Sequence, residues 1–174
     1  MIRLEQPAIA LHSHDVPGYK YKMQFTVNLP PTATVYNVVS QILLAVKNAP
    51  GNYLENVVIN CHGSPGHLHV GTGNTINTQN VGIMKLLKNG GQKVGTIWIV
   101  ACEVAGYPKG IVQIGAYFCA EMARAAGCFV VASEKTQYVN PGFYLRVCPK
   151  NCIDRYEGTV YRYDANGNQE VFKP

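Results

Sequence analysis

The clearest signal for the fold lies in two short stretches: VVINCHG at residues 57–63 and TIWIVAC at residues 96–102. Both are apolar runs rich in β-branched residues, which is typical of fully buried strands in a parallel sheet. The first run leads into His62 and the second ends on Cys102. Because parallel sheets bind ligands at the carboxyl ends of their strands, we expect these two side chains to lie side by side at one edge.

A histidine beside a cysteine has a specific chemical meaning. The imidazole can take the thiol proton and so activate sulfur as a nucleophile. Gly63 follows the histidine and has no Cβ, so its N–H can approach a substrate oxygen and form, with the N–H of Cys102, a pair of oxyanion donors. The alternative is that Cys102 is a structural thiol, because free cysteines are usually packed in the core.

The rest of the chain predicts an α/β domain. Apolar residues at spacings of three and four predict amphipathic helices, and the alternation of strand and helix predicts a mostly parallel sheet with helices on both faces. Asp164-Ala-Asn-Gly-Asn is predicted to be the turn of a C-terminal β-hairpin. The segment before residue 19 is expected to be irregular, and residues 62–74 a glycine-rich loop. The predicted elements are strands at 19–28, 56–61, 94–101, 128–132, 159–163 and 169–172, and helices from Thr34 to Ala49, at 78–88 and at 111–126.

Composition limits the classes of function. With 174 residues, 47% of them hydrophobic and 14% charged, the chain is predicted to be a single domain spanning 1–174. The net charge of +5 is dispersed, so a nucleic-acid surface is not expected. No run approaches the length of a membrane span, and Met1 to His14 lacks the apolar core of a secretory signal. The six cysteines are too sparse for a disulfide framework, which favours a reducing, cytoplasmic location.

No metal or cofactor is expected. His67 and His69 lie downstream of His62, but their spacing matches no metal motif, and contact with substrate or solvent is the favoured interpretation. Cys148 and Cys152 lack the second pair that a four-ligand site needs, so they are either a chance pair or a local disulfide.

The order of His62-Gly63 before Ala101-Cys102, each pair ending an apolar strand, resembles the clan CD cysteine peptidases, which include caspases, gingipains, legumain, separase and bacterial CHAT domains. The resemblance covers roughly residues 34–133 and includes the helix-plus-strand segment AYFCAEMARAAGCFVVAS. It implies a three-layer α/β/α caspase-like fold. It also implies a catalytic dyad of His62 and Cys102, with oxyanion donors on the backbone of Gly63 and Cys102.

The flanks of the cysteine differ from those of caspases. Caspases have Gln before the Ala-Cys pair and Arg-Gly after it, whereas this chain has Val100 before and Glu103-Val104 after. The resemblance therefore implies the broad clan rather than caspase activity. The candidate substrate-binding residues are Ser64, Glu103, Ser133 and Glu134. The two glutamates could line a pocket for a basic side chain or could be solvated loop carboxylates.

The expected function is a cysteine endopeptidase that cleaves protein or peptide substrates through a thioester. Two alternatives remain open: a catalytically inactive caspase-like module that binds a partner, and a small-molecule hydrolase or acyltransferase using the same thiol. Residues 161–168, YRYDANGN, also resemble one unit of the YD repeats of Rhs-type toxins. That resemblance implies a bacterial effector that acts in a cytosol.

Overall fold

A seven-stranded mixed sheet forms the frame of the protein. The structure, a computed structural model, describes residues 1–16, 20–107, 114–137 and 150–174. The strands of the sheet are β2 (Ala8–His12), β3 (Phe25–Asn28), β4 (Leu54–Asn60), β8 (Val94–Val100), β9 (Phe129–Ser133), β11 (Val160–Tyr163) and β12 (Gln169–Val171). Their spatial order is β12-β11-β9-β8-β4-β2-β3.

The α/β prediction is confirmed. The buried strands β4, β8 and β9 lie next to one another and are parallel, and β2 and β3 continue the parallel set to the edge. At the other edge β11 pairs antiparallel with β9, and β12 pairs antiparallel with β11. Within the described residues, two α-helices accompany the sheet, α1 (Val35–Asn48) and α2 (Ile114–Ala126). Thr34 caps α1, and its backbone N–H donates to the side chain of Asn37 over 2.8 Å.

The helix predicted at 78–88 is instead a 3₁₀ segment, Val81–Leu87. Its buried residues are Val81, Met84 and Leu87, three positions apart at each step. That spacing fits the three residues per turn of a 3₁₀ helix, on which such positions are eclipsed, better than it fits an α-helix. A second 3₁₀ turn, Pro50–Asn52, follows α1.

The expected placement of helices on both faces of the sheet is not confirmed, because the helices of the described residues lie on one face. The buried faces of α1, α2 and the 81–87 segment all join one core with Ile9, Val57 and Ile97. The reason is topological: the connections β3 to β4, β4 to β8 and β8 to β9 all advance in one direction across the sheet. Right-handed crossovers that advance in one direction place their helices on one face.

The opposite face of the sheet has a different cover. Alternate strand residues such as Ala10, Val58 and Trp98 pack there against Tyr21 and Ile153. Near this cover β1 (Ile2–Arg3) pairs antiparallel with β10 (Cys152–Ile153). Among the described residues, none of the helices combines the length and apolar character needed to cross a bilayer.

Two further segments have strands that the sequence did not predict. The irregular start contains β2, a fully buried strand whose alanines gave a weak strand signal. The expected glycine-rich loop is a small antiparallel sheet of β5 (His62–Ser64), β6 (His67–Gly71) and β7 (Asn74–Ile76). Gly71 packs closely on the chain before α1, since a Cβ there would lie 2.5 Å from the Ala33 carbonyl oxygen.

A buried polar pair joins the ends of β2 and β4. His12 is fully buried; its Nε2–H donates to the Tyr21 carbonyl over 3.0 Å, and its Nδ1 accepts from the Asn60 amide over 2.9 Å. Burial lowers the pKa of His12, with a smaller contribution from Lys20 and against the opposing effect of the Tyr21 hydrogen bond.

This pair predicts a pH-dependent loss of stability. The unfolded chain protonates His12 near its ordinary pKa of 6.5, whereas the folded chain resists, so stability is complete above that pH and declines below it. The slope due to this group is at most about 1.4 kcal/mol per pH unit. Urea unfolding of wild type and His12→Gln from neutral to acidic pH measures this dependence. The free energy of unfolding of wild type should fall more steeply below pH 6.5 than that of the variant. Parallel pH dependences in the two proteins would show that His12 is not the cause.

Candidate active site

The register between β4 and β8 brings His62 and Cys102 to equivalent positions. Asn60 pairs with Val100 at the last register position of these parallel strands. His62 and Cys102 each lie two residues beyond that pair. The Cys61 N–H donates to the Val100 carbonyl over 3.3 Å and continues the pairing toward them. The two side chains therefore leave neighbouring strands at the same level of the sheet.

The segment after His62 packs against the turn after Cys102. A Cβ on Gly63 would lie 2.8 Å from the Cys102 carbonyl oxygen, 2.9 Å from Ala101 Cβ and 2.7 Å from a Val104 methyl. Only glycine allows this approach. The structure thus gives Gly63 a packing role in addition to the oxyanion role expected from the sequence.

This edge is also where the chain reverses its direction across the sheet. From the carboxyl end of β2 the chain continues to β3 on one side, and from the carboxyl end of β4 it continues to β8 on the other. In open parallel sheets such a reversal opens a crevice between the two departing loops, and ligands bind there.

A cleft of about 110 Å³ lies at this crevice, and both His62 and Cys102 line it. Its walls include Val16, which follows β2, and Gln137, which follows β9. The sequence patterns did not single out either residue, because neither carries a side chain typical of catalysis. The other residues of the cleft are Asn60, Cys61, Val100 and Ala101.

Cys102 is half-buried and stands before a tight turn. Its Sγ–H donates to the Gln137 carbonyl, with sulfur and oxygen 3.9 Å apart. Among the hydrogen bonds of the described residues, none joins the Cys102 thiol to His62. Glu103 has a φ of 57°, and its carbonyl accepts from the Gly106 N–H over 2.7 Å. A non-glycine residue in this left-handed region is strained by about 1–2 kcal/mol. The turn directs the chain away from the sheet directly after the thiol.

His62 is exposed and oriented by a backbone carbonyl. Its Nε2–H donates to the Asp15 carbonyl over 3.3 Å. In the neutral ring this leaves Nδ1 unprotonated and able to accept a proton. No sequence pattern identified Asp15, because its contribution comes from its main chain.

The turn that carries the Asp15 carbonyl is itself held in place. The Ser13 hydroxyl donates to the Asp15 carboxylate over 2.8 Å, and the Ser13 N–H donates to the Asn60 carbonyl over 3.0 Å. Burial acts to raise the pKa of Asp15, but the Ser13 hydrogen bond, the residue's own N–H and the charges of His14 and His62 outweigh it and lower that pKa.

Three histidines share one face of the small sheet. His62 pairs directly with His69, and Ser64 pairs with His67, so the four side chains project to the same side. Ser64 Oγ lies 3.4 Å from His69 Nε2. Burial lowers the pKa of His69, and the neighbouring His67 and His62 lower it further. Among the described residues no group of three or more potential ligands has the geometry to hold a metal ion.

The other free thiols in the described chain differ from Cys102. Cys61, Cys119 and Cys128 are buried, and burial raises the pKa of each, to about 12 for Cys128. At neutral pH they are protonated and shielded from reagents. Cys152 is disulfide-bonded, and Cys148 lies outside the described residues.

The remaining predicted substrate residues lie around the cleft rather than in it. Ser133 is fully buried, and its hydroxyl donates to the Glu157 carbonyl, so it is not available to a substrate. The Glu103 carboxylate accepts from the Thr136 hydroxyl over 2.9 Å, and the Glu134 carboxylate accepts from Tyr161 over 3.3 Å. Ser64 belongs to the histidine face and is partly exposed.

Comparisons of the chain with protein-family models, with curated protein sequences and with solved structures found no match.

The contact of Gly63 predicts a sharp effect of substitution. Gly63→Ala places a methyl group against the Cys102 carbonyl and should destabilise the fold by about 1–3 kcal/mol, as overpacking of a filled site does. Gly82→Ala is the matched control, because a Cβ there meets nothing within 4 Å and its φ is not left-handed. Urea unfolding compares the stability of the two variants. Equal stability would show that the position of β5 does not depend on the close packing of Gly63 against the Cys102 carbonyl.

Proposed function

We propose that this protein is a cysteine peptidase of the caspase-like type, with His62 and Cys102 as its catalytic dyad. The observation that carries the proposal is the placement of both residues two positions past the last β4–β8 pair and on the wall of one cleft. The chain order of histidine before cysteine on neighbouring parallel strands supports the caspase-like assignment. The half-buried thiol and the exposed imidazole are both accessible from solvent.

The proposed reaction begins with proton transfer from Cys102 Sγ to His62 Nδ1, while the Asp15 carbonyl holds Nε2–H. Since sulfur now donates to the Gln137 carbonyl, this step requires rotation of the thiol from that partner to the ring. The thiolate attacks the substrate carbonyl, and the N–H groups of Gly63 and Cys102 stabilise the oxyanion. His62 then protonates the leaving amine, and water hydrolyses the thioester.

The size of the cleft favours a chain substrate. Pockets that enclose small-molecule ligands usually have roughly 300–1,000 Å³, whereas the described walls here enclose about 110 Å³. That volume suits the reacting carbonyl and one short side chain. The remainder of a peptide would lie across the surface, where the face formed by His62, Ser64, His67 and His69 offers hydrogen-bonding groups.

Digestion of a broad peptide library tests the proposal. Wild type should release peptides with new termini, and Cys102→Ala and His62→Ala should each reduce the rate by at least about a hundredfold, because nucleophile and base act as a unit. Gly82→Ala is the control, since a Cβ at that position meets nothing within 4 Å, and it should leave cleavage unchanged.

The alternatives give different results in the same assay. A binding module would release no peptides, and a small-molecule hydrolase would turn over small thiol-reactive esters but no peptide. Full activity of Cys102→Ala would exclude the dyad.

A further inference from the structure

A second pocket opens at the opposite, amino-terminal edge of the sheet, remote from the dyad. It has a volume of about 380 Å³ and lies where β4, β8 and β9 begin. This volume falls within the range of roughly 300–1,000 Å³ typical of small-molecule sites. The proposed peptidase reaction makes no use of it.

Three aromatic side chains line this pocket: Tyr53, Trp98 and Phe129. Phe129 is 40% exposed, although it belongs to a central β-sheet strand, and Trp98 retains 8% exposure. The faces of aromatic rings carry partial negative charge and attract cations. The exposed part of the Phe129 ring, on which Arg162 also lies, is therefore the main aromatic surface open to a ligand, whereas Trp98 is almost fully buried.

A hydrogen bond to a buried side chain fixes the orientation of the Trp98 indole. Its Nε1–H donates to the Asn56 side-chain carbonyl over 2.7 Å. The same Asn56 amide donates to the Glu5 main-chain carbonyl over 2.8 Å, although the residue is only 7% exposed. This buried amide ties the N-terminal segment and the indole to β4. A ligand would thus meet a wall that is already ordered, which lowers the entropic cost of binding.

Charged residues of both signs line the pocket. They are Glu5, Glu55 and Arg3. No salt bridge in the described chain uses any of these three side chains. Burial raises the pKa of Tyr53, and the charge of Glu55 raises it further, consistent with a carboxylate close to this ring.

The neighbouring surface already holds a guanidinium group. The Arg162 guanidinium carbon lies 4.9 Å from the ring centroids of both Phe129 and Phe172. Phe172 in turn lies 6.1 Å from the Trp98 ring. A guanidinium group over aromatic rings is thus a contact that this part of the molecule makes within its own fold.

We propose that this pocket binds a small guanidino acid, of which free arginine is the simplest. The planar guanidinium stacks on the aromatic wall and donates hydrogen bonds to Glu55 or Glu5, and the carboxylate of the ligand pairs with Arg3. A guanidinium fits this wall better than an ammonium because it is flat, weakly hydrated and able to donate two parallel hydrogen bonds.

The sequence provides a direct reporter, because Trp98 is the only tryptophan of the chain. Titration of the full chain with L-arginine should give a saturable change in tryptophan fluorescence. L-citrulline, the uncharged isostere, should bind at least about tenfold more weakly, as loss of a charge-assisted pair requires. Agmatine, which lacks the carboxylate, should also bind more weakly. Equal responses to arginine and citrulline, or no saturation with arginine, would overturn the proposal.

Variants identify the groups responsible. Glu55→Gln should weaken arginine binding about tenfold by removing the charge of one acceptor. Glu121→Gln, a change on α2 on the other side of the sheet, should leave binding unchanged. Unaltered affinity in both Glu55→Gln and Glu5→Gln would contradict the proposal. Cys102→Ala should bind arginine as wild type does, so the result is independent of the peptidase assignment.

Discussion

The parallel pairing of β4 with β8 determines both the register at the centre of the sheet and the position of the candidate site. Its register carries two distant parts of the chain to the same level of the sheet, so that residues two positions past Asn60 and Val100 become neighbours. A shift of one residue would exchange the faces of every side chain on the strand. The apolar faces of β4 and β8 are buried on both sides of the sheet, so this register is strongly favoured.

The direction of the crossovers follows from the same sheet and determines where chemistry is possible. Because the connections after β3, β4 and β8 advance one way, the helices of the described residues collect on one face, whereas the connection after β2 runs the other way. Below the crevice, a polar set joins the ends of β2 and β4: His12, Asn60 and the 13–15 turn. That turn presents the carbonyl that orients His62. Fold and site are thus linked through main-chain groups as much as through side chains.

The sequence predicted the parts of the fold that have a strong local signal. The β-branched runs of β4, β8 and β9 and the three-four spacing of α1 were predicted correctly, because burial on both faces or on one stripe leaves a clear pattern. The Ala-rich β2 lacks β-branched residues. The apolar stripe at 81–87 can occur in an α-helix as well as in the 3₁₀ helix that forms there. The one-sided placement of the helices depends on strand order, which local patterns do not contain.

In the candidate site, too, the sequence revealed some groups and not others. His62, Gly63 and Cys102 were found because their side chains, or the lack of one, carry chemical meaning at a strand end. The carbonyls of Asp15 and Gln137 have no such signature, since any residue could supply them. The burial of Ser133 depends on the segment near Glu157, which approaches it only in the folded chain.

Activation of Cys102 by His62 is the step on which the proposed reaction depends. The rate at which iodoacetamide alkylates Cys102 at neutral pH, followed by mass spectrometry of the modified peptide in wild type and in His62→Gln, measures this activation. The rate should be at least about tenfold lower in the variant, because the imidazole accepts the thiol proton. Equal rates in the two proteins would show that His62 does not activate the thiol.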